Sequence, residues 1–526
     1  MQASPHRLVE TLQDRFAVLE TEFSKAYWDS QIEATDENDR RREAAELVVR
    51  QAKGDPSALS QVDEALEGGV HDAVLQRQLE VLRLSLMGNQ MGEQTRARIV
   101  SISSSVESDF ASFRPVVDGK RVSDNELEEI LRTSDEGNLR RDAWEASKEI
   151  GGVVAARIRE LARLRNSAAH NLGFADFYTM SLELQELTEE WLFSLLDEVD
   201  RLTADPFRSY KQALDEQLAR RFGTGEIHPW HYADPFFQSL PPDGRITLDE
   251  QLAGLSAPAV AERTFAGWGI DISGVLAGSD LYPRERKCQH AFCLDVDRSG
   301  KDVRILANVV DGERWIETML HESGHAAYDV RIDPHLPYLL RRPAHTFVTE
   351  SIAILCGRLV HDPRWLTDIG GLPAEEVERI SEPLLETMSA QSLLFARWVL
   401  VMTHFERALY SDPEADLDVF WWELVSRYQL VAPPPGRRAP DWAAKIHVAV
   451  APVYYHNYLL GEILASQLQA TCQKECGGLV GVPEAGRLLE ERVFKHGALM
   501  RWDVLVEQAT AKPLSAADFV ASITGG

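Results

Sequence analysis

Apolar residues recur at three- and four-residue steps along most of this chain, and that period leaves room for little besides helices. Leu8 to Phe23 carries the pattern over several turns, and Ala44 to Val49, Leu79 to Leu86 and Leu127 to Leu131 carry shorter pieces of it. Between Ala155 and Leu172, Arg157, Arg159, Arg163 and Arg165 oppose Ile158, Leu161 and Leu164 across a helical face. Thr188, followed by Glu189 and Glu190, reads as a helix start. Strand character is concentrated in Ala291 to Val296 and Val303 to Val309, two runs around a Ser299-Gly300 turn that predict a hairpin. Phe113 to Asp124, with Pro115 and Gly119, predicts a surface excursion, and Pro433-Pro434-Pro435-Gly436 a loop. With no repeat, low-complexity tract or long linker, residues 1–526 predict one large, mainly α domain in two lobes around a cleft.

Net charge is -28. Nucleic-acid binding needs a basic footprint, and the sequence offers none. The acidic surplus also argues against an anionic membrane surface, and no run approaches the ~18 apolar residues that span a bilayer. The opening Met-Gln-Ala-Ser-Pro-His-Arg-Leu lacks the pattern of a secretory leader. Five sparse cysteines, Cys288, Cys293, Cys356, Cys472 and Cys476, predict reduced thiols and a cytoplasmic setting.

The segment Thr318 to Tyr328 contains His321-Glu322-Ser323-Gly324-His325. On a helix, residues four apart share a face about 6 Å apart along the axis. His321 and His325 can therefore direct ring nitrogens at one ion, while Glu322, offset around the helix, reaches the nucleophilic water instead. With 15 His in 526 residues, a chance match is rare. A catalytic zinc needs a third protein ligand. A second helix is expected after Pro343, and Glu350 is the acidic residue in its otherwise apolar and small-residue start. A buried carboxylate without a partner is costly. It lies 25 residues after His325, enough for a turn and an antiparallel helix to return it. A helix-start glutamate held by backbone N–H groups is the other reading.

These residues resemble the gluzincin peptidases that use a downstream glutamate ligand. Within them the sequence is most similar to the angiotensin-converting-enzyme (peptidyl-dipeptidase A) family, with thimet-oligopeptidase-like enzymes the nearest alternative. The blocks that carry the likeness are His321 to Tyr328 with Glu350, Cys288-Gln289-His290-Ala291 leading into Lys301 to Ile305, and Lys445-Ile446-His447 leading to Tyr458. Weaker similarity runs from Tyr27-Trp28 to Glu484-Ala485-Gly486. The resemblance implies a helical ellipsoid around a deep central channel, lidded by N-terminal helices (about 1–150), with the small hairpin beside the active site.

It also implies one Zn2+ per chain on His321, His325 and Glu350, with Glu322 as base and proton shuttle. His290 and Ala291 match an edge strand that pairs with substrate backbone. Lys445 matches the lysine that holds the substrate's C-terminal carboxylate, and His447 a histidine at the substrate carbonyl. Tyr455 and Tyr458 have the spacing of the family's two tyrosines, the second of which stabilises the oxyanion; an ungapped register would put Tyr454 and Asn457 there instead. His456-Asn457 stands where chloride-dependent relatives carry an arginine, so chloride activation is not expected. Ile354 replaces the aspartate that orients a zinc histidine in the family, which leaves Asp329 as the candidate for that task.

The function these readings imply is zinc-dependent hydrolysis of short peptides with release of C-terminal dipeptides. An endo-acting oligopeptidase that ignores the terminus is the first alternative, and an inactive peptide-binding relative the second. His228-Pro229-Trp230-His231 resembles a ligand pair, but its proline argues against a helical face.

Overall fold

The computed structural model describes residues 4–241 and 247–524. Helix makes up 69% of it and strand 3%, the mainly α class that the periodicity predicts. Local chemistry sets many of the boundaries. The Thr188 side chain accepts the N–H of Trp191 and starts the helix Glu189–Phe222, which ends at Gly223 in a left-handed conformation. Ser123 and Glu126 form a reciprocal capping box at the start of Asp124–Thr133. The excursion before it is a minimal hairpin, Val116–Val117 on Lys120–Arg121. Asp118 and Gly119 both take positive φ, as a tight two-residue turn requires.

The chain divides into two compact units. The first comprises Met1–Gln90, Thr247–Glu382 and Leu460–Phe519. In it the helices Pro5–Ile32, Asp36–Lys53, Pro56–Glu67 and Ala73–Met87 share a core with the short turn Tyr338–Leu340. Phe16, Leu79, Leu82, Leu86 and Leu340 are buried there, and full burial of such side chains stabilises by about 1.5–3 kcal/mol each. Glu20 adds polar ties from the same helices. Its carboxylate meets Lys53 at 2.5 Å, Arg298 of the hairpin turn at 2.7 Å and the Tyr338 hydroxyl at 2.7 Å. Burial pushes the Glu20 carboxyl up, but Arg298 and Lys53 outweigh it and hold it below its ordinary value.

The predicted hairpin is present. Phe292–Asp295 pairs antiparallel with Val303–Leu306, in the register Phe292↔Leu306 to Asp295↔Val303. Among the described residues no strand lies on the other side of Phe292–Asp295. The histidine motif occupies the helix Glu313–Arg331, and the helix Thr346–Gly357, capped by His345, follows it.

The second unit comprises Met91–Ile246, Pro383–Leu459 and Val520–Gly526. Trp144, Trp398 and Trp442 are buried in it, as are Trp421 and Trp422, in keeping with a core role for the paired tryptophans. Gly151, inside the helix Gly137–Asn171, fixes one approach: a Cβ there would stand 2.4 Å from the Pro440 carbonyl oxygen. That clearance admits the short turn Asp441–Ala444, whose end is Lys445. Trp442 donates to Asp418, and Trp422 and Arg437 hold Asp441, so the backbone entering Lys445 is fixed from several sides.

Candidate metal centre and its surroundings

His321 and His325 lie one turn apart and both turn Nε2 toward Glu350 of the following helix. The separations are 3.7 Å from His321 Nε2 to Glu350 Oε1 and 3.6 Å from His325 Nε2 to Glu350 Oε2. These are too long for hydrogen bonds. They suit ligands of a common ion, since donors about 2 Å from one zinc stand roughly 3–4 Å from each other. The three donors lie within 4.8 Å of one another, and no other such group of His, Cys, Asp or Glu occurs among the described residues. His228 and His231 do not form one; His231 Nδ1 instead accepts the His228 backbone N–H.

The electrostatics fit a cation. Burial depresses the His321 ring to about 4, and burial with His321 nearby depresses His325 to about 3, so both are the neutral imidazoles that metal ligation requires. Burial raises the Glu350 carboxyl. Burial and the Glu350 charge push Glu322 up to about 8. The Glu350 carboxylate and two neutral imidazoles make a donor set that a divalent cation would stabilise, and the same cation would favour the ionised form of Glu322 beside it.

Glu322 is 7% exposed and stands beside the hairpin, where its carboxylate accepts the backbone N–H of Cys293. The same carboxylate lies close enough to Glu350 for that charge to act on it. Ala291 leads into the same strand, half-buried, and His290 is exposed just before it.

Gly324 sets the spacing between the two ligand helices. A Cβ at this position would lie 2.9 Å from Ala353 Cα and 3.1 Å from Ile352 O and Cys356 Sγ. Gly461 does the same from another direction: its Cβ would meet Glu350 Cγ at 3.3 Å. Neither glycine was apparent from sequence as part of the site, although Gly324 lies within the motif itself.

Asp329 does not orient His325. His325 Nδ1 shares a hydrogen bond of 2.7 Å with Thr349 Oγ1, and with Nε2 given to a metal the ring would carry its proton on Nδ1 and donate it there. Asp329 lies one turn further along the helix, where its electrostatic neighbours are Asp295 and Arg298 of the hairpin turn. Thr349 adjoins Glu350, and its proximity to a ligand was the one signal in the sequence for this contact.

The remaining expected residues belong to the second unit. Lys445 Nζ donates to Gln238 Oε1 at 3.0 Å, a partner outside every sequence block above. Burial depresses its ammonium, while Asp234 and Glu128 act the other way. His447 packs its ring 5.4 Å from Tyr455, and Tyr455 lies 5.4 Å from Tyr458. His447 Nδ1 is buried without a hydrogen-bond partner among the described residues, and burial with Lys445 nearby depresses the ring to about 4. The Tyr455 hydroxyl accepts from Trp398 Nε1 at 2.8 Å. Asn457 is buried, its amide committed to Gln185 and the Tyr454 carbonyl. All five cysteines are free. No helix among the described residues is long and apolar enough to cross a membrane.

The family model described as angiotensin-converting enzyme matches residues 2–204 and 282–521. The chain belongs to this family. Its members are zinc-dependent metallopeptidases, which agrees with the donor set above. Similar curated proteins include the angiotensin-converting enzyme of Sus scrofa, 25% identical over 86% of this chain and 37% of the relative. That of Mesocricetus auratus is 24% identical over 93% of this chain and 40% of the relative. That of Rattus norvegicus is 26% identical over 67% and 29%. The chain thus spans well under half the length of these relatives.

The Thr349 hydroxyl contacts the His325 ring nitrogen that faces away from Glu350, and groups that hold a ligating histidine typically change metal affinity by about 10–100-fold when removed. Thr349→Val is expected to weaken zinc binding by that order, with Thr349→Ser restoring most of it, in chelator competition. Equal zinc affinity in Thr349→Val and the parent would remove the hydroxyl from this role.

Proposed function

We propose that this chain is a zinc-dependent peptidase that releases dipeptides from the C-terminus of short peptides. The observation that carries the reading is the convergence of His321, His325 and Glu350 with Glu322 beside them, in a chain of this family. Zinc held by those three would supply Lewis acidity, which brings the pKa of a water to about 7. Glu322 is the group to take the proton of the attacking water and pass it to the leaving amine. The Cys293 N–H holds that carboxylate in place, and the strand edge at Ala291 offers backbone groups to an extended peptide.

Tyr458 is assigned to the oxyanion and His447 to the substrate carbonyl region. The free Nδ1 of His447 supports its part, and the prior commitment of the Asn457 amide favours Tyr458 over Asn457. Tyr455 buttresses both through ring contacts. Lys445 is assigned to the terminal carboxylate, with Gln238 holding its ammonium. An anchor at the carboxylate fixes the cut two residues from the end.

The test is cleavage of a free-acid tetrapeptide and its C-terminal amide, with products identified by mass. Loss of a charge-assisted contact of roughly 1.5–3 kcal/mol slows the amide by about 10–100-fold. Equal cleavage of acid and amide would remove Lys445 as anchor and favour an endo-acting oligopeptidase.

A further inference from the structure

The second unit holds a cavity of about 180 Å³ bounded on one side by Lys445, His447 and Gln238. Its walls are apolar, with Phe110, Phe113, Ile150 and Phe236 among them. Two carboxylates also line it, Asp124 and Glu128, four residues apart on the helix Asp124–Thr133. That spacing places them on one face.

Their environment is unusual for surface acids. Neither carboxylate receives a hydrogen bond from the described residues, and burial raises both; Asp234 and Asp124 raise Glu128 further. Lys445 does not pair with them but reaches Gln238. Asp234, the other acid near Lys445, is saturated by the backbone N–H groups of Phe236, Gln238 and Ser239 at 2.8, 2.9 and 2.8 Å. Arg114 near Asp124 and Arg132 near Glu128 offset part of their charge without hydrogen-bonding to either, and once a peptide's terminal carboxylate occupies Lys445 that cation no longer offsets Glu128. A long side chain with an apolar stem and a cationic head satisfies walls and acids together.

We propose that this cavity receives the side chain of the substrate's C-terminal residue and selects arginine or lysine there through Asp124 and Glu128. The proposal rests on the assignment of Lys445 as the carboxylate anchor. It makes the enzyme a releaser of dipeptides that end in a basic residue. Phe236 and Gln238, which form part of the wall, come from the stretch 205–281 between the two segments that the family model matches.

The experiment uses zinc-loaded protein of residues 1–526 and free-acid tetrapeptides that differ only in the last residue: Arg, Lys, Leu or Glu. Binding of the dipeptides Ala-Arg and Ala-Leu is measured alongside by calorimetry, which needs no turnover. For Arg over Leu, a preference of about tenfold is expected in kcat/KM and in Kd, and it should collapse toward parity in Asp124→Asn/Glu128→Gln. Both substitutions keep side-chain size on an exposed helix face, so the fold is retained, as circular dichroism would verify. Leu-ending and Arg-ending ligands treated alike by the parent, or a preference the double substitution leaves intact, would overturn the proposal. Cleavage without preference sinks this specificity alone, leaving the peptidase reading standing. Preferential Ala-Arg binding without any cleavage does the reverse, and loss of both binding and cleavage overturns the two together.

Discussion

Glu322→Gln is expected to bind zinc with the parent's stoichiometry and to lose peptide hydrolysis by roughly 10²–10⁴-fold, the range of a general acid–base group. The amide keeps the size of the carboxylate and can still accept the Cys293 N–H, so the hairpin and the motif helix keep their contact. It cannot take a proton from the attacking water. Burial and the Glu350 charge disfavour the ionised form at this 7% exposed position, and the neutral amide removes that penalty. The metal-free protein should therefore lose no stability, a combination that separates a catalytic defect from a folding one. Metal content, thermal unfolding and product mass together decide it. If the variant keeps more than about a tenth of the parent's rate, Glu322 falls well short of the general-base contribution and the assignment fails.

Gly324→Ala should destabilise the protein by about 1–3 kcal/mol, the usual cost of forcing a methyl into a packed interface. Helix propensity alone points the other way, since alanine is favoured over glycine by roughly 1 kcal/mol in a helix interior. The sign of the result is thus diagnostic. The new Cβ would press on Ala353 Cα at 2.9 Å and Ile352 O at 3.1 Å, which are backbone atoms that cannot rotate aside. Relief requires the two ligand helices to separate, which draws Glu350 away from His325. Zinc affinity should fall with stability, by about tenfold or more if a ligand is lost from the set. Denaturant unfolding of the metal-free protein and chelator competition give the two readouts. A more stable Gly324→Ala protein with normal zinc affinity would show that the helices do not approach as closely as described.

Much of the site was legible because it is local. His321 and His325 share a face through the helical period alone, and Glu322 must then point elsewhere. The hairpin follows from two β-rich runs around Ser299-Gly300, and positive φ at Asp118 and Gly119 closes a second, smaller hairpin where the sequence predicts a surface excursion. Thr188 and His345 head their helices at the expected positions. The contacts that were missed are between elements. Nothing within a few residues of Asp329 or Thr349 says which of them meets the His325 ring. That depends on how the two ligand helices pack, and the hydroxyl of Thr349 wins because it rises from the partner helix beside Glu350. Gln238 lies 207 residues from Lys445 and the Gly151 clearance is long-range as well, so neither leaves a trace in local pattern.

The sequence by itself determined the helical class, the pair of histidines with their neighbouring base, and the family, because each is written in spacings of a few residues or in motifs carried whole. Tertiary structure alone decided how Glu350 reaches the histidines, what holds the His325 proton, and which groups surround Lys445. Those outcomes turn on close approaches at Gly324, Gly461 and Gly151, where the missing side chain is what lets distant backbone come near. An absent Cβ acts only through what fills its place, and the chain supplies that from far away.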